Sequence, residues 1–180
     1  MQVIATQHPE VLLLRPKVFG DARGFFFESY NRKALAGLGI TAEFVQDNHS
    51  RSAQGVLRGL HYQISQPQGK LVRVVAGEVF DVAVDLRRSS PHFGRVASFR
   101  LSAETHDMAW IPPGFAHGFQ VLSEHAEFLY KTTDYYAPEF ERCLLWNDPA
   151  LGIDWPLDGA PLLSAKDQAG RPLAECEVFA

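Results

Sequence analysis

Few side chains can take a proton from carbon near neutral pH, and histidine, with an ordinary pKa of about 6.5, is suited to it. In VLRGLHYQ, residues 56–63, His61 shares a candidate strand with Arg58. A single histidine on an apolar strand is more often a hydrogen-bonded core residue than a base. Regular alternation puts His61, Gly59 and Gln63 on one face and Arg58 on the other, so a site using both needs a bulge, for which Gly59 is suited, or a partner chain. Lys70 shares parity with Val72 and Val74 on the next strand, which turns its ammonium inward.

Three further segments carry groups that fit proton transfer or anion binding. In FLYKTTDYYAPE, residues 128–139, aromatic density usually means packing, but a pocketed Tyr130 beside an ammonium or guanidinium has its pKa lowered from about 10 and can hand a proton to a carbanion. One strand does not settle which face of it is inward. In LSAKD, residues 163–167, the adjacent charges Lys166 and Asp167 read as surface decoration unless the chain folds back, where Asp167 would accept the second ring N–H of His61 and fix its tautomer. In DARGFFFESY, residues 21–30, Arg23 and Glu28 bracket three phenylalanines as the solvated ends of a strand; with Arg51 and Arg58 they also offer forks for a diphosphate.

WIPPGFAHGF, residues 110–119, has in Pro112, Gly114 and His117 the P-x-G-x-x-H spacing that resembles the second motif of the metal-binding cupins, against the plainer reading of a Pro-Gly turn. The first motif would require a second histidine where this chain has Gln63, and no Glu follows at ligand distance. An amide is a poor substitute for imidazole at a borderline-soft ion. The expectation is no catalytic metal and no cofactor, with His61 left for acid–base work.

These residues must be positioned by strands. Phe80, Val82, Val84 and Leu86 alternate with Asp81 and Asp85, as in a half-buried strand, and Lys70–Val75 is expected to pair with it through a turn at Ala76, Gly77 and Glu78. Further candidates are 25–30, 43–47, 56–63, 96–101, 108–111, 119–122 and 128–133. One short helix is expected, capped by Asn31, with Ala34, Leu35 and Leu38 on one face and Gly39 ending it. Many short strands and almost no helix predict an all-β sandwich or barrel, a jelly roll among the options.

At 180 residues and 46% hydrophobic, the chain can enclose one core, expected as a single domain over 1–180. A formal charge of -4 argues against a nucleic-acid partner. The apolar-rich stretch 71–86 is broken by Arg73, Glu78, Asp81 and Asp85, which a membrane span would not tolerate. The apolar run at 11–14 is too short for a signal peptide, and Cys143 and Cys176 have no motif spacing, so a soluble, cytoplasmic protein is expected.

Taken together, the segments resemble the dTDP-4-dehydrorhamnose 3,5-epimerase family. The resemblance runs through DxRGFFxE at 21–28, FVQDN at 44–48, VLRGLHYQ at 56–63, QGKLVRVVAGEVFDVAVDLR at 68–87, WIPPGFAHGF at 110–119, LYKTTDYYAPE at 129–139 and LSAKD at 163–167. It implies a metal-free cupin-type double-stranded β-helix (jelly roll), working as a homodimer with exchanged N-terminal strands. It implies inversion at C3 and C5 of a dTDP-4-keto-6-deoxy sugar in dTDP-L-rhamnose biosynthesis. By this resemblance His61 is the base, Asp167 its partner, Lys70 the group that meets the enolate oxygen at C4, and Tyr130 the proton donor on the opposite face. Arg23, Glu28, Gln46, Asp47, Asn48, Arg58, His117, Glu141 and Lys166 fall at substrate-binding positions, and Tyr136 at one that stacks on thymine. The segment between His61 and Lys70 is one residue shorter than in common members, and the tail after Asp167 has no counterpart in the motifs. A mono-epimerase, a non-catalytic sugar-nucleotide module and a metal-dependent oxygenase are the competing readings.

Overall fold

The computed structural model describes residues 1–156 and 158–180. In chain order its strands are β1 (Gln2–Ile4), β2 (Leu12–Arg15), β3 (Phe19–Asp21), β4 (Gly24–Phe26), β5 (Gln46–Ala53), β6 (Leu57–Gln63), β7 (Lys70–Ala76), β8 (Glu78–Asp85), β9 (Val96–Ser102), β10 (Met108–Ile111), β11 (Phe115–Val121), β12 (His125–Thr132) and β13 (Glu141–Cys143). Two antiparallel sheets, ordered β1-β2-β10-β7-β12-β5 and β13-β6-β11-β8-β9, face each other as a cupin-type jelly roll, and among the described residues β3 pairs only with β4. The all-β expectation holds. The strands β1, β2, β3 and β13, of three or four residues, are too short for a period-two signal, and β5 begins three residues after the start of the predicted segment at 43–47 and overlaps its end.

The predicted hairpin of β7 with β8 does not form. β7 pairs with β10 and β12, whereas β8 pairs with β11 and β9. Gly77, at φ 73°, turns the chain from one sheet to the other, and a Cβ there would lie 2.0 Å from the His125 carbonyl oxygen. Alternation says which face of a strand is apolar, not which strand lies beside it. Here the two strands share an interior by facing each other.

That interior holds Val72, Val74, Val79, Ala83, Ile111, Phe115, Phe119 and Phe128. The rings of Phe119 on β11 and Phe128 on β12 stack across the gap between sheets at 4.2 Å. A second apolar layer lies outside the five-stranded sheet, where Leu57, Leu60, Val82, Val84 and Leu86 meet Leu144, Trp155 and the tail residues Leu173, Val178 and Phe179. β8 is thereby buried on both faces. Asp81 and Asp85, expected on a solvated side, are 0% exposed. Asp85 accepts from Arg87 Nε at 2.8 Å and Nη2 at 2.7 Å, and pairs with buried His8 at 3.3 Å.

The predicted helix is α1 (Arg32–Ala36), with the Asn31 side chain accepting from the Ala34 amide at 3.0 Å and Leu35 packed near Leu14, Leu71 and Met108. A second, α2 (Ala165–Gln168), was not legible in LSAKD; Ser164 and Asp167 form a capping box at its start. Among the described residues, no helix is long and apolar enough to cross a membrane.

Candidate active site

His61 on β6 meets Asp167 on α2 across 106 positions of sequence, with Nε2 2.6 Å from Oδ1. Asp167 is only 2% exposed. Burial works to raise its pKa, but the bonds from His61, from Ser164 (Oγ to Oδ2, 2.6 Å) and from the Gly59 amide (3.1 Å) prevail and hold it at about 2. An ionised carboxylate at that distance keeps the proton on Nε2 and leaves Nδ1 to accept. The imidazole is thus set up as a base.

The bulge that Arg58 requires is present. Pairing of β6 with β11 shifts register between His117, opposite His61, and Phe119, opposite Arg58. Gly59 sits at the shift with φ 118°, and a Cβ on it would lie 2.7 Å from Gly118 Cα, so backbone packing there excludes a side chain. Arg58 Nε donates to Ser52 at 2.9 Å, and its charge reaches the Tyr130 phenol. Arg58, itself exposed, and His61 are thereby turned toward the same side of the sheet within one chain.

Lys70, on β7 of the opposite sheet, is buried as parity predicted, with Nζ 3.4 Å from the His61 carbonyl. Desolvation lowers its pKa to about 8, against the pull of Asp81 and Glu141. His117 on β11 lies beside it, Nε2 3.0 Å and 3.1 Å from the two oxygens of Asp81. Burial lowers the His117 pKa more than Asp81 raises it. Sequence reasoning missed Asp81. Its signal was an acid sharing parity with Val79 and Ala83, both apolar.

Tyr130 on β12 stands opposite Asn48 on β5, and the Gln46 and Asn48 side chains on that face are joined at 2.9 Å. Burial raises the Tyr130 pKa. Arg58 and Lys166 lower it and Glu141 raises it, so the expected net lowering is corrected: desolvation outweighs the cations. Glu141 on β13 accepts from Lys166 at 2.7 Å and from Tyr136, about half exposed, at 2.8 Å, linking three predicted positions at the rim.

Four predicted residues lie elsewhere. Asp47 alternates to the outer face of the sheet, 2.8 Å from Lys131, and Arg51 shares that parity. Arg23, on the β3–β4 turn, bonds Asp21, and Glu28 accepts from Asn31 at 3.1 Å; among the described residues neither bonds a member of the cluster. Gln63, read as a missing metal ligand, anchors a loop: Nε2 donates to the carbonyls of Gln66 and Tyr135, and Oε1 accepts from Ala137.

Comparison with known proteins places this geometry. The family model described as dTDP-4-dehydrorhamnose 3,5-epimerase matches residues 5–175. A dTDP-4-dehydrorhamnose 3,5-epimerase of Pseudomonas aeruginosa is 67% identical over 172 residues, covering 95% of each chain. The crystal structure of the Legionella pneumophila dTDP-6-deoxy-D-glucose-3,5-epimerase in complex with dTDP-4-keto-L-rhamnose superposes with a TM-score of 0.95 at 55% identity, covering 98% of this chain and 94% of the other. A 3'-monoepimerase from Streptomyces bikiniensis, in complex with dTDP-quinovose, is more distant, with a TM-score of 0.87 and 32% identity over 97% of this chain and 88% of its own.

Proposed function

This chain belongs to the dTDP-4-dehydrorhamnose 3,5-epimerase family, and from that premise we propose that the cluster around His61 inverts C3 and C5 of dTDP-4-dehydro-6-deoxy-D-glucose, giving dTDP-4-dehydro-L-rhamnose for dTDP-L-rhamnose biosynthesis. The observation that carries the residue assignment is His61 on one sheet, paired with Asp167 of α2, and a buried ammonium on the other sheet, Lys70 Nζ lying 3.4 Å from the His61 carbonyl. His61 Nδ1 takes the proton from C3. The electron pair moves onto the C4 oxygen as an enolate, whose charge Lys70 meets in a water-poor interior. Tyr130 then delivers a proton to the other face of the ring, and its high pKa keeps it protonated for that step. The same groups serve C5.

Gln46, Asn48, Arg58, His117, Glu141 and Lys166 bind the sugar and diphosphate, and the exposed ring of Tyr136 stacks on thymine. Asp47 has no place in this pocket. Arg23 and Glu28 join it from a second copy in a homodimer. Support comes from the β3–β4 hairpin, which pairs with no other strand among the described residues and exposes Phe19, Phe25 and Phe26 by half or more. β1 and β2 are already bound to their own sheet, so the exchanged N-terminal element is this hairpin. Light scattering should give twice the 20.1 kDa chain mass; a monomer at working concentration overturns the assignment of Arg23 and Glu28. We assign the enzyme, one domain over 1–180, to the cytoplasm on its two free thiols and its nucleotide-sugar substrate.

Incubation with the substrate in heavy water tests the reaction: deuterium should enter at both C3 and C5. Complete turnover with label at one carbon would establish the mono-epimerase instead. Tyr130→Phe should keep solvent exchange while inversion falls by about 10²-fold or more, since carbanion formation precedes reprotonation; equal loss of both signals would refute the division of labour. In the pH profile, kcat/KM should decline as pH rises through about 8, where Lys70 loses its proton. A profile flat to pH 10 would remove Lys70 as the electrostatic partner.

A further inference from the structure

Cys143 has no part in the chemistry above, yet it lies against the dyad. β13 runs antiparallel to β6 with Cys143 directly opposite His61. One donor atom from each of His61, Cys143 and Asp167 lies within 4.8 Å of the other two. We infer that this triad is an inhibitory site for a thiophilic divalent cation, Zn²⁺ above all, whose binding takes the imidazole out of catalysis. The word inhibitory rests on the epimerase reading; the cation site does not.

The donor set is imidazole, thiolate and carboxylate, the three ligand types that zinc takes in proteins. Tetrahedral zinc, with bonds of about 2.0–2.3 Å, holds its ligand atoms about 3.3–3.8 Å apart. The widest separation in the triad must therefore close by about 1.5 Å at most, and the 2.6 Å His61–Asp167 bond must open by about 0.7–0.9 Å. Asp167 tolerates that shift because Ser164 and the Gly59 amide still hold it. Burial raises the Cys143 pKa and keeps the thiol neutral at rest, so the ion must displace its proton. The resulting thiolate and the carboxylate then balance the ion's charge, and three protein donors leave a fourth position for water. The Lys166 ammonium, whose charge acts on both Cys143 and Asp167, opposes a dication, which makes the site reversible and weaker than closed four-ligand zinc sites.

A second triad of the same compactness, His8, Glu10 and Asp85, shows what disqualifies such a cluster. There the Arg87 guanidinium already bonds both carboxylates, at 2.7 Å each, and a fixed cation fills the role an ion would take. No guanidinium bonds Asp167 among the described residues.

Titrating untagged, metal-free protein with Co²⁺ should produce a thiolate-to-cobalt charge-transfer band that saturates at one equivalent and is displaced by Zn²⁺. The band should vanish in Cys143→Ser and survive in Cys176→Ser. In a metal-buffered assay Zn²⁺ should inhibit reversibly. Because loss of even an outer partner of a metal ligand costs 10–100-fold in affinity, Cys143→Ser should weaken inhibition by about tenfold or more while leaving the uninhibited rate unchanged. Absence of the band, its survival in Cys143→Ser, or equal zinc sensitivity of that variant overturns the site. Were the protein not an epimerase, the assay would read nothing while the cobalt band remained, so the two failures are distinguishable.

Discussion

His61→Ala is expected to abolish deuterium incorporation at both C3 and C5 and to lower turnover by about 10³–10⁴-fold, the upper part of the range for loss of a general base. The fold should survive the change. Asp167 keeps the Ser164 hydroxyl and amide and the Gly59 amide when the imidazole is gone, so no buried carboxylate is left without donors. Losing the imidazole bond should let the Asp167 pKa climb from about 2, because that is the largest of the contributions opposing its burial. NMR of the two carbons checks the first point and circular dichroism the second. Persistent exchange at one carbon would mean that the two protons leave to different bases.

Lys70→Met should separate stability from activity. Methionine fills a similar volume without the charge, so kcat should fall by about 10²–10³-fold, the cost of removing one donor from a developing oxyanion. The protein should at the same time melt higher. A lysine whose pKa drops from 10.5 to about 8 on folding destabilises the native state, below pH 8, by about 3 kcal/mol. The sign is fixed by linkage: below both values the folded protein carries the whole penalty, and the penalty fades as pH rises toward 10.5. Asp81 keeps His117 as its partner and Glu141 keeps Lys166, so neither is orphaned by the change. Thermal unfolding at neutral and at alkaline pH should show a gain that closes with increasing pH. A variant less stable at neutral pH would mean that Lys70 holds the interior together.

What the sequence disclosed and what it withheld follow from the range of each interaction. Lys70 was placed inward correctly because Val72 and Val74 stand two and four positions along the same strand, and parity is a local property. Asp167 could be offered only conditionally, since its approach to His61 depends on where a chain 106 residues downstream returns. The β7–β8 hairpin failed for the converse reason, a short turn at Gly77 being equally compatible with a change of sheet. Asp81 and Asp85 were read as solvated because a strand with charges on one face usually has that face wet. Here the opposing sheet covers that face and the C-terminal tail covers the other. The Tyr130 phenol was expected to be acidified by nearby cations, which sequence can suggest; the desolvation that overrides them belongs to the assembled interior. Arg23 and Glu28 matched family positions, yet the hairpin that carries Arg23 pairs with no other strand among the described residues, and Glu28, just beyond it, bonds Asn31.

His61, the proposed base, and the Lys70 ammonium belong to different sheets, and the stacked rings of Phe119 and Phe128 stand between those sheets. Those two rings work as a caliper, setting the span across which proton removal and charge neutralisation must cooperate. A cut in ring size at Phe128 would then register as a mis-set catalytic gap, with turnover falling at temperatures where the barrel is still fully folded.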